Sequence, residues 1–302
     1  MVVRRSADPQ FDLFVPYVAD LPLRDQRETM ERPFFSLAKT PRRTPIEYKG
    51  GGVYVRVKPG LESGVATIWD ADILIWAATQ ITEALDRGGE TGRTIRFHPY
   101  NLLKGIRRHT GGDQYRKLLD ALTRLKETTI DTNIRPEKGG KKRSSFSWID
   151  SWGVEEGPDG KPVAMWITLS NWLYEGIVQD GGVLSIHEDY FLLTGGVARW
   201  LYRIARKHAG QQDTGWQFTM RQLYEKSGSA ARISDFAIMV REVVRADALP
   251  EYTLAISKNG EGEEVVSMVR RSRLAVDDPR YELPRSRRRR QSGGIRQKAL
   301  TF

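Results

Sequence analysis

Residues 111–134 read GGDQYRKLLDALTRLKETTIDTNI. Tyr115, Leu118, Leu119, Leu122 and Leu125 recur at three- and four-residue steps, so they line one stripe of a helix that follows Gly111–Gly112. The period breaks at Lys126–Thr129, and the β-branched run Thr129–Ile134 predicts a strand. A polar loop comes next, with Arg135, Lys138, Gly139, Gly140, Lys141, Lys142 and Arg143, and Phe146, Trp148 and Ile149 predict the returning strand. A turn at Gly157–Gly160 precedes a further strand, Val163–Leu169.

Working back from that helix, Pro99 suits the first turn of a shorter one with Leu102, Leu103 and Ile106. Thr94–His98 reads as a short strand. Before it, Asp70 or Asp72 suits the cap of a helix with Leu74, Ala77, Ala78, Ile81 and Leu85 inward, stopped by Gly88–Gly89. Val53, Val55 and Val57 alternate with Tyr54 and Arg56 as a strand.

The same order recurs downstream. A helix after Gly195–Gly196 points Val197, Trp200, Leu201, Ile204 and Ala205 inward. Then come a strand Trp216–Phe218, a helix capped by Thr219, a break at Gly228, and a helix with Ile233, Phe236, Ala237, Val240, Val243 and Val244 inward. A hairpin Tyr252–Ile256 and Glu264–Val269 follows, its tip at Lys258–Gly262. Three helices plus a two-stranded wing is the winged variant of helix-turn-helix. The expected fold class is therefore α+β, mainly helical, with two tandem winged-helix (winged helix-turn-helix) domains. The expected boundaries are an irregular, Pro-interrupted segment 1–50, domains 51–180 and 181–276, and a basic tail 277–302 without a core of its own.

The composition agrees with two packed domains. The chain has 302 residues, 39% of them hydrophobic, with 8 Trp, 11 Tyr and 10 Phe. Its net charge of +10 favours a polyanionic partner. With no Cys, disulfides and thiolate chemistry are excluded. Residues 1–10 lack a signal-peptide core, and the longest apolar run, Ile73–Ala78, is far short of the ~20 residues of a membrane span, so the chain reads as cytoplasmic.

Opposite the apolar stripe of the first third helix lie Gln114, Lys117, Ala121 and Arg124, one row by helical spacing. Gln, Lys and Arg suit base edges in the major groove. Arg107, Arg108 and Arg116 flank the row as phosphate contacts, and the loop with Lys138, Lys141, Lys142 and Arg143 stands where a wing is expected. The second unit offers Arg232, Ser234, Ile238, Arg241 and Arg245 on its helix and Lys258 at its wing, diluted by Glu261, Glu263 and Glu264. Arg287, Arg288, Arg289 and Arg290, with Arg285, add a nonspecific basic tether.

Catalytic signatures are missing from the sequence. His98, His109, His187 and His208 do not make metal-ligand spacing. His208 continues an apolar stripe, and His187, before Glu188–Asp189, suits a helix start. There is no P-loop and no GxSxG elbow, and the acidic pairs Asp70/Asp72 and Glu155/Glu156 fit caps or turns. The expectation is a protein that is not an enzyme and uses no cofactor or metal.

Four strings carry a resemblance: FFSLAK at 34–39, IWDADILI at 68–75, YRKLLDAL at 115–122 and RWLYRIARKH at 199–208. They look like the RepA-type plasmid replication initiators of proteobacteria, across about residues 11–275. The resemblance implies a cytoplasmic initiator that binds repeated double-stranded sites (iterons) at a plasmid origin. It also implies melting of adjacent AT-rich DNA, recruitment of host initiator and helicase-loading proteins, and autorepression as a homodimer. The residues alone leave a winged-helix transcriptional regulator open as the alternative, with a nucleic-acid enzyme third.

Overall fold

The computed structural model describes residues 13–14 (backbone), 21–135, 143–158 and 162–282. Lys138, Lys141, Lys142 and Arg287–Arg290 lie outside the described residues. The chain divides into two compact units, the first within Met1–Thr29 and Pro33–Ser185, the second within Met30–Arg32 and Ile186–Phe302. No helix among the described residues is long and apolar enough to cross a membrane.

The first unit runs β1 (Leu13–Phe14), β2 (Arg24–Gln26), β3 (Ile46–Gly50), β4 (Val53–Lys58), α1 (Ala71–Asp86), β5 (Thr94–Phe97), α2 (Pro99–Gly105), α3 (Gly112–Glu127), β6 (Thr129–Thr132), β7 (Ser144–Ser147), β8 (Ile149–Glu156), β9 (Pro162–Leu169), α4 (Asn171–Val178) and β10 (Val183–Ser185). Its sheets have the orders β1-β5-β9-β8, β3-β4-β6-β7 and β2-β10. The fold is mixed α/β. Strands form most of the elements of this unit.

The core begins with α1, which is apolar nearly all round: Ile73, Ile75, Ala77, Ala78 and Ile81 are each at most 1% exposed. Leu85, expected inward, is 40% exposed, because only the last turn of α1 reaches water. Gly88 then takes φ +71° and ends the helix, its N–H donating to the Leu85 carbonyl. Pro99 opens α2 as expected, and His98 Nδ1 accepts from the Tyr100 N–H. Helix α4 was not foreseen. Ser170 caps it by accepting from the Leu173 N–H, the kind of short, buried helix that periodicity misses.

The segment 1–50 was expected to be irregular, yet its described part supplies core. Phe34 is fully buried and Phe35 is 4% exposed. Phe35 stacks on Trp148 at 4.7 Å, and Phe34 meets Trp148 and Trp172 at 5.7 and 6.0 Å. The prolines spoil a periodic pattern without preventing burial. Ile46 heads β3, which pairs antiparallel with β4.

The second unit runs α5 (Gly196–Ala209), β11 (Trp216–Thr219), α6 (Met220–Ser227), α7 (Ile233–Ala246), β12 (Tyr252–Lys258) and β13 (Glu264–Arg270), with one sheet ordered β11-β13-β12. Thr219 and Gln222 form a reciprocal cap on α6, and Gly228 at φ +60° ends it. In α5 the arginines face inward. Arg199 donates to the carbonyls of Leu193 (2.6 Å) and Phe191 (2.9 Å), and Arg203 is 2% exposed. Tyr202 accepts from the His187 N–H and donates to Glu251.

Three residues from the other end of the chain complete this unit. Met30 is fully buried. Glu31 lies 2.5 Å from Lys226 Nζ, 2.9 Å from Lys207 Nζ and 3.7 Å from His208 Nε2. Burial by itself would raise the Glu31 carboxyl, but contacts with His208, Lys226 and Lys207 outweigh it and hold the group far below its ordinary value. A carboxyl lowered on folding contributes stability that is complete above its unfolded value, near 4.5, and is lost as the pH falls below it. Thermal unfolding followed against pH should therefore fall away more steeply for the wild type than for Glu31→Gln below about pH 4.5. Parallel profiles would remove Glu31 from the account.

Candidate nucleic-acid interface

Strand pairing separates the basic loop of the first unit from the strands that match the hairpin of the second. In the second unit the strand before the two helices, β11, pairs with the later hairpin strand, β13, which pairs in turn with β12. In the first unit the matching strand, β5, pairs with β9, which pairs with β8. The equivalent hairpin is thus β8–β9. The basic loop from Arg135 to Arg143 instead joins β6 and β7, which belong to a separate sheet with β3 and β4.

Helix α3 buries Leu118, Ala121, Leu122 and Leu125. Ala121, expected in the exposed row, is fully buried, so the core stripe passes through it rather than through Tyr115 and Leu119, which are only partly buried. Arg124 is corrected as well. Its Nε and Nη2 both lie 2.8 Å from the Asp70 carboxylate, which is 3% exposed. Arg108 has the same fate: it donates to the Trp69 carbonyl at 2.5 Å and to Asp72 at 3.0 Å. Asp70 and Asp72 therefore anchor guanidinium groups; Asp70 stands at the N-cap of α1 but makes no side-chain cap bond to it.

What remains at the surface is Arg116, 77% exposed, and Lys117, 58% exposed, with Gln114 half-buried beside them. Both cations touch Asp113, at 3.0 and 2.6 Å, and Lys117, then Arg116, hold that carboxyl below its ordinary value. Such exposed pairs are screened by water and contribute little, so a phosphate can replace Asp113 at little cost. Arg107 closes α2 at φ +55° and is half-buried. Arg143 is exposed, on the β3-β4-β6-β7 sheet.

On α7, Ser234, Ile238 and Arg245 are exposed as expected, and Arg232 is 84% exposed beside Asp235. Ile233, expected inward, is 40% exposed, because the buried face starts at Phe236. Arg241 is withdrawn from the free row: it grips Glu264 at the tip end of the hairpin, at 3.1 and 2.6 Å. Lys258 is exposed directly across from Glu264. His208 is packed, as expected, against Trp216 and Phe218, and His187 starts a 3-10 turn by accepting from the Asp189 N–H.

Two of the strings that carried the resemblance, 34–39 and 68–75, meet in space. Ser36 donates to the Ala66 carbonyl and accepts from the Ile68 N–H, both at 2.9 Å, and Lys39 lies over the Trp69 ring. Arg124 closes the group through Asp70. Residues 24–254 match the family model described as Replication initiator protein A. The chain belongs to the replication initiator protein A family. A curated relative from Wigglesworthia glossinidia brevipalpis, named "Putative replication protein", is 36% identical over 234 residues, covering 76% of this initiator and 84% of the relative. Among solved structures, domains 2 and 3 of RctB match this replication initiator with a TM-score of 0.56 at 14% identity, over 77% of this chain and 94% of that one. That likeness concerns the mixed α/β fold alone.

Proposed function

We propose that this initiator acts by binding, through two winged-helix domains, to specific repeated double-stranded sites at a plasmid origin. The observation that carries this is the repeated order of helix, strand, two helices and hairpin, with the same strand order in both sheets. In each copy the helix before the hairpin shows cations to solvent: Arg116 and Lys117 on α3, Arg245 on α7, with Arg232 just before it. An α-helix of this kind fits the major groove, and the hairpin beside it suits the backbone. Opening of AT-rich DNA, recruitment of host replication proteins in the cytoplasm, and autorepression as a homodimer follow from the family reading. Family membership favours initiation over simple transcriptional control.

Fluorescence anisotropy on fragments tiling the gene's own flanks, against random duplex, tests this. Arg116→Ala with Lys117→Ala is expected to weaken binding to the specific fragment about tenfold or more beyond any loss on random DNA. It should also flatten the salt dependence by up to about 2 in log–log slope. Equal losses on both DNAs would make these residues phosphate contacts only. Binding to every fragment alike by the wild type would sink site-specific recognition.

A further inference from the structure

The β3-β4-β6-β7 sheet covers core with one face only. Ile46, Val55, Val57 and Ile130 point inward and are at most 1% exposed. Strand alternation turns Lys49, Tyr54, Arg56, Lys58 and Asp131 to the other side. Arg56 pairs with Glu47 at 3.1 Å and Lys58 with Asp131 at 2.6 Å. Lys49 Nζ and the Arg143 guanidinium lie 5.9 and 5.4 Å from the Tyr54 ring centre, and neither is in an ion pair among the described residues. The face thus combines four cations with two carboxylates, a surplus of positive charge around one aromatic ring. The neighbouring outward positions on β6 and β7 are Thr129, Ser145 and Ser147, small side chains that leave the surface low.

The backbone that carries the ring is also fixed in place. The Tyr54 N–H donates to Asn133 Oδ1, and its carbonyl accepts from Thr132 Oγ1, both at 2.8 Å. A half-buried aromatic on a rigid strand, flanked by cations, suits an unstacked base with its phosphates on either side. A duplex keeps its bases stacked inside and offers the ring no such partner. We propose that this face binds a single DNA strand, with Tyr54 stacking on a base and Lys49 and Arg143 holding adjacent phosphates. The site is built on a different sheet from the β8–β9 hairpin, and goes beyond the duplex reading.

The test uses the full chain with a labelled 20-nucleotide oligothymidylate, a scrambled duplex and the specific duplex. Tyr54→Ala is expected to weaken oligothymidylate binding by about 5- to 150-fold, the range for losing one stacked base, while both duplexes change less than about twofold. Tyr54→Phe should keep wild-type binding, since the ring remains. Lys49→Gln with Arg143→Gln, both exposed, should lower the single-strand salt slope by about 1.4. That double variant decides the matter if Tyr54→Ala fails to fold. Oligothymidylate binding that is absent in the wild type, or indifferent to these changes, overturns the proposal. So does an equal loss on duplex, which would make the face a general phosphate contact. Because the specific duplex is measured alongside, failure here is distinguishable from failure of duplex recognition.

Discussion

Arg124→Ala is expected to lower the midpoint of thermal unfolding by about 6–20 °C. Removing one partner of a buried ion pair leaves the other charge uncompensated, at a cost of about 3–5 kcal/mol. For a folded body of 150–250 residues each kcal/mol moves the midpoint by about 2–4 °C. Asp70, 3% exposed, would keep the Thr67 N–H at 2.8 Å and lose both guanidinium bonds. Asp70→Ala combined with Arg124→Ala should cost less than the sum of the two, because the shared interaction is removed once. Circular dichroism melts of the single and double variants decide it. A melt within about 2 °C of wild type, with site-specific DNA binding lost, would return Arg124 to the DNA-contacting row.

Trp148→Ala should destabilise the chain by about 3–5 kcal/mol in urea unfolding. The indole is fully buried, stacked on Phe35, and meets Phe34, Phe146 and Trp172 edge-on at 5.7, 6.1 and 6.4 Å. Truncation leaves a cavity that four aromatic neighbours cannot close without leaving their own contacts. Phe34→Ala should cost a comparable amount, since Phe34 shares the cluster. A loss under about 1 kcal/mol in either would mean that the segment 33–39 only rests on a core complete without it.

The helices were legible because their apolar periods are strong: α3, α5 and α7 fall close to where the spacing put them, and Gly88, Pro99, Thr219 and Gly228 act as read. The errors share one cause, which is that pairing over long sequence separation leaves no local mark. Arg124 looks like any outward arginine until Asp70, 54 positions earlier, is brought against it. The same is true of Arg108 with Asp72 and Arg241 with Glu264. Ala121 is small enough to sit on either side of a helix, so its type says little about which. The basic loop was read as a wing because it came next in the chain, whereas strand partners are set by register with β5.

Glu31 and Met30 have a consequence for how this molecule can be taken apart. Glu31 reaches Lys226 across 195 positions, so the C-terminal unit is closed by residues synthesised before most of the chain exists. Contacts that join such distant positions are slow to form, because the intervening chain must first be ordered. A fragment beginning at Ile186 would carry Lys207 and Lys226 without their carboxylate and an empty seat where Met30 belongs. Exchange of this unit between relatives, in the laboratory or by recombination, has to move two separate stretches of gene together, and the shorter of them encodes three amino acids.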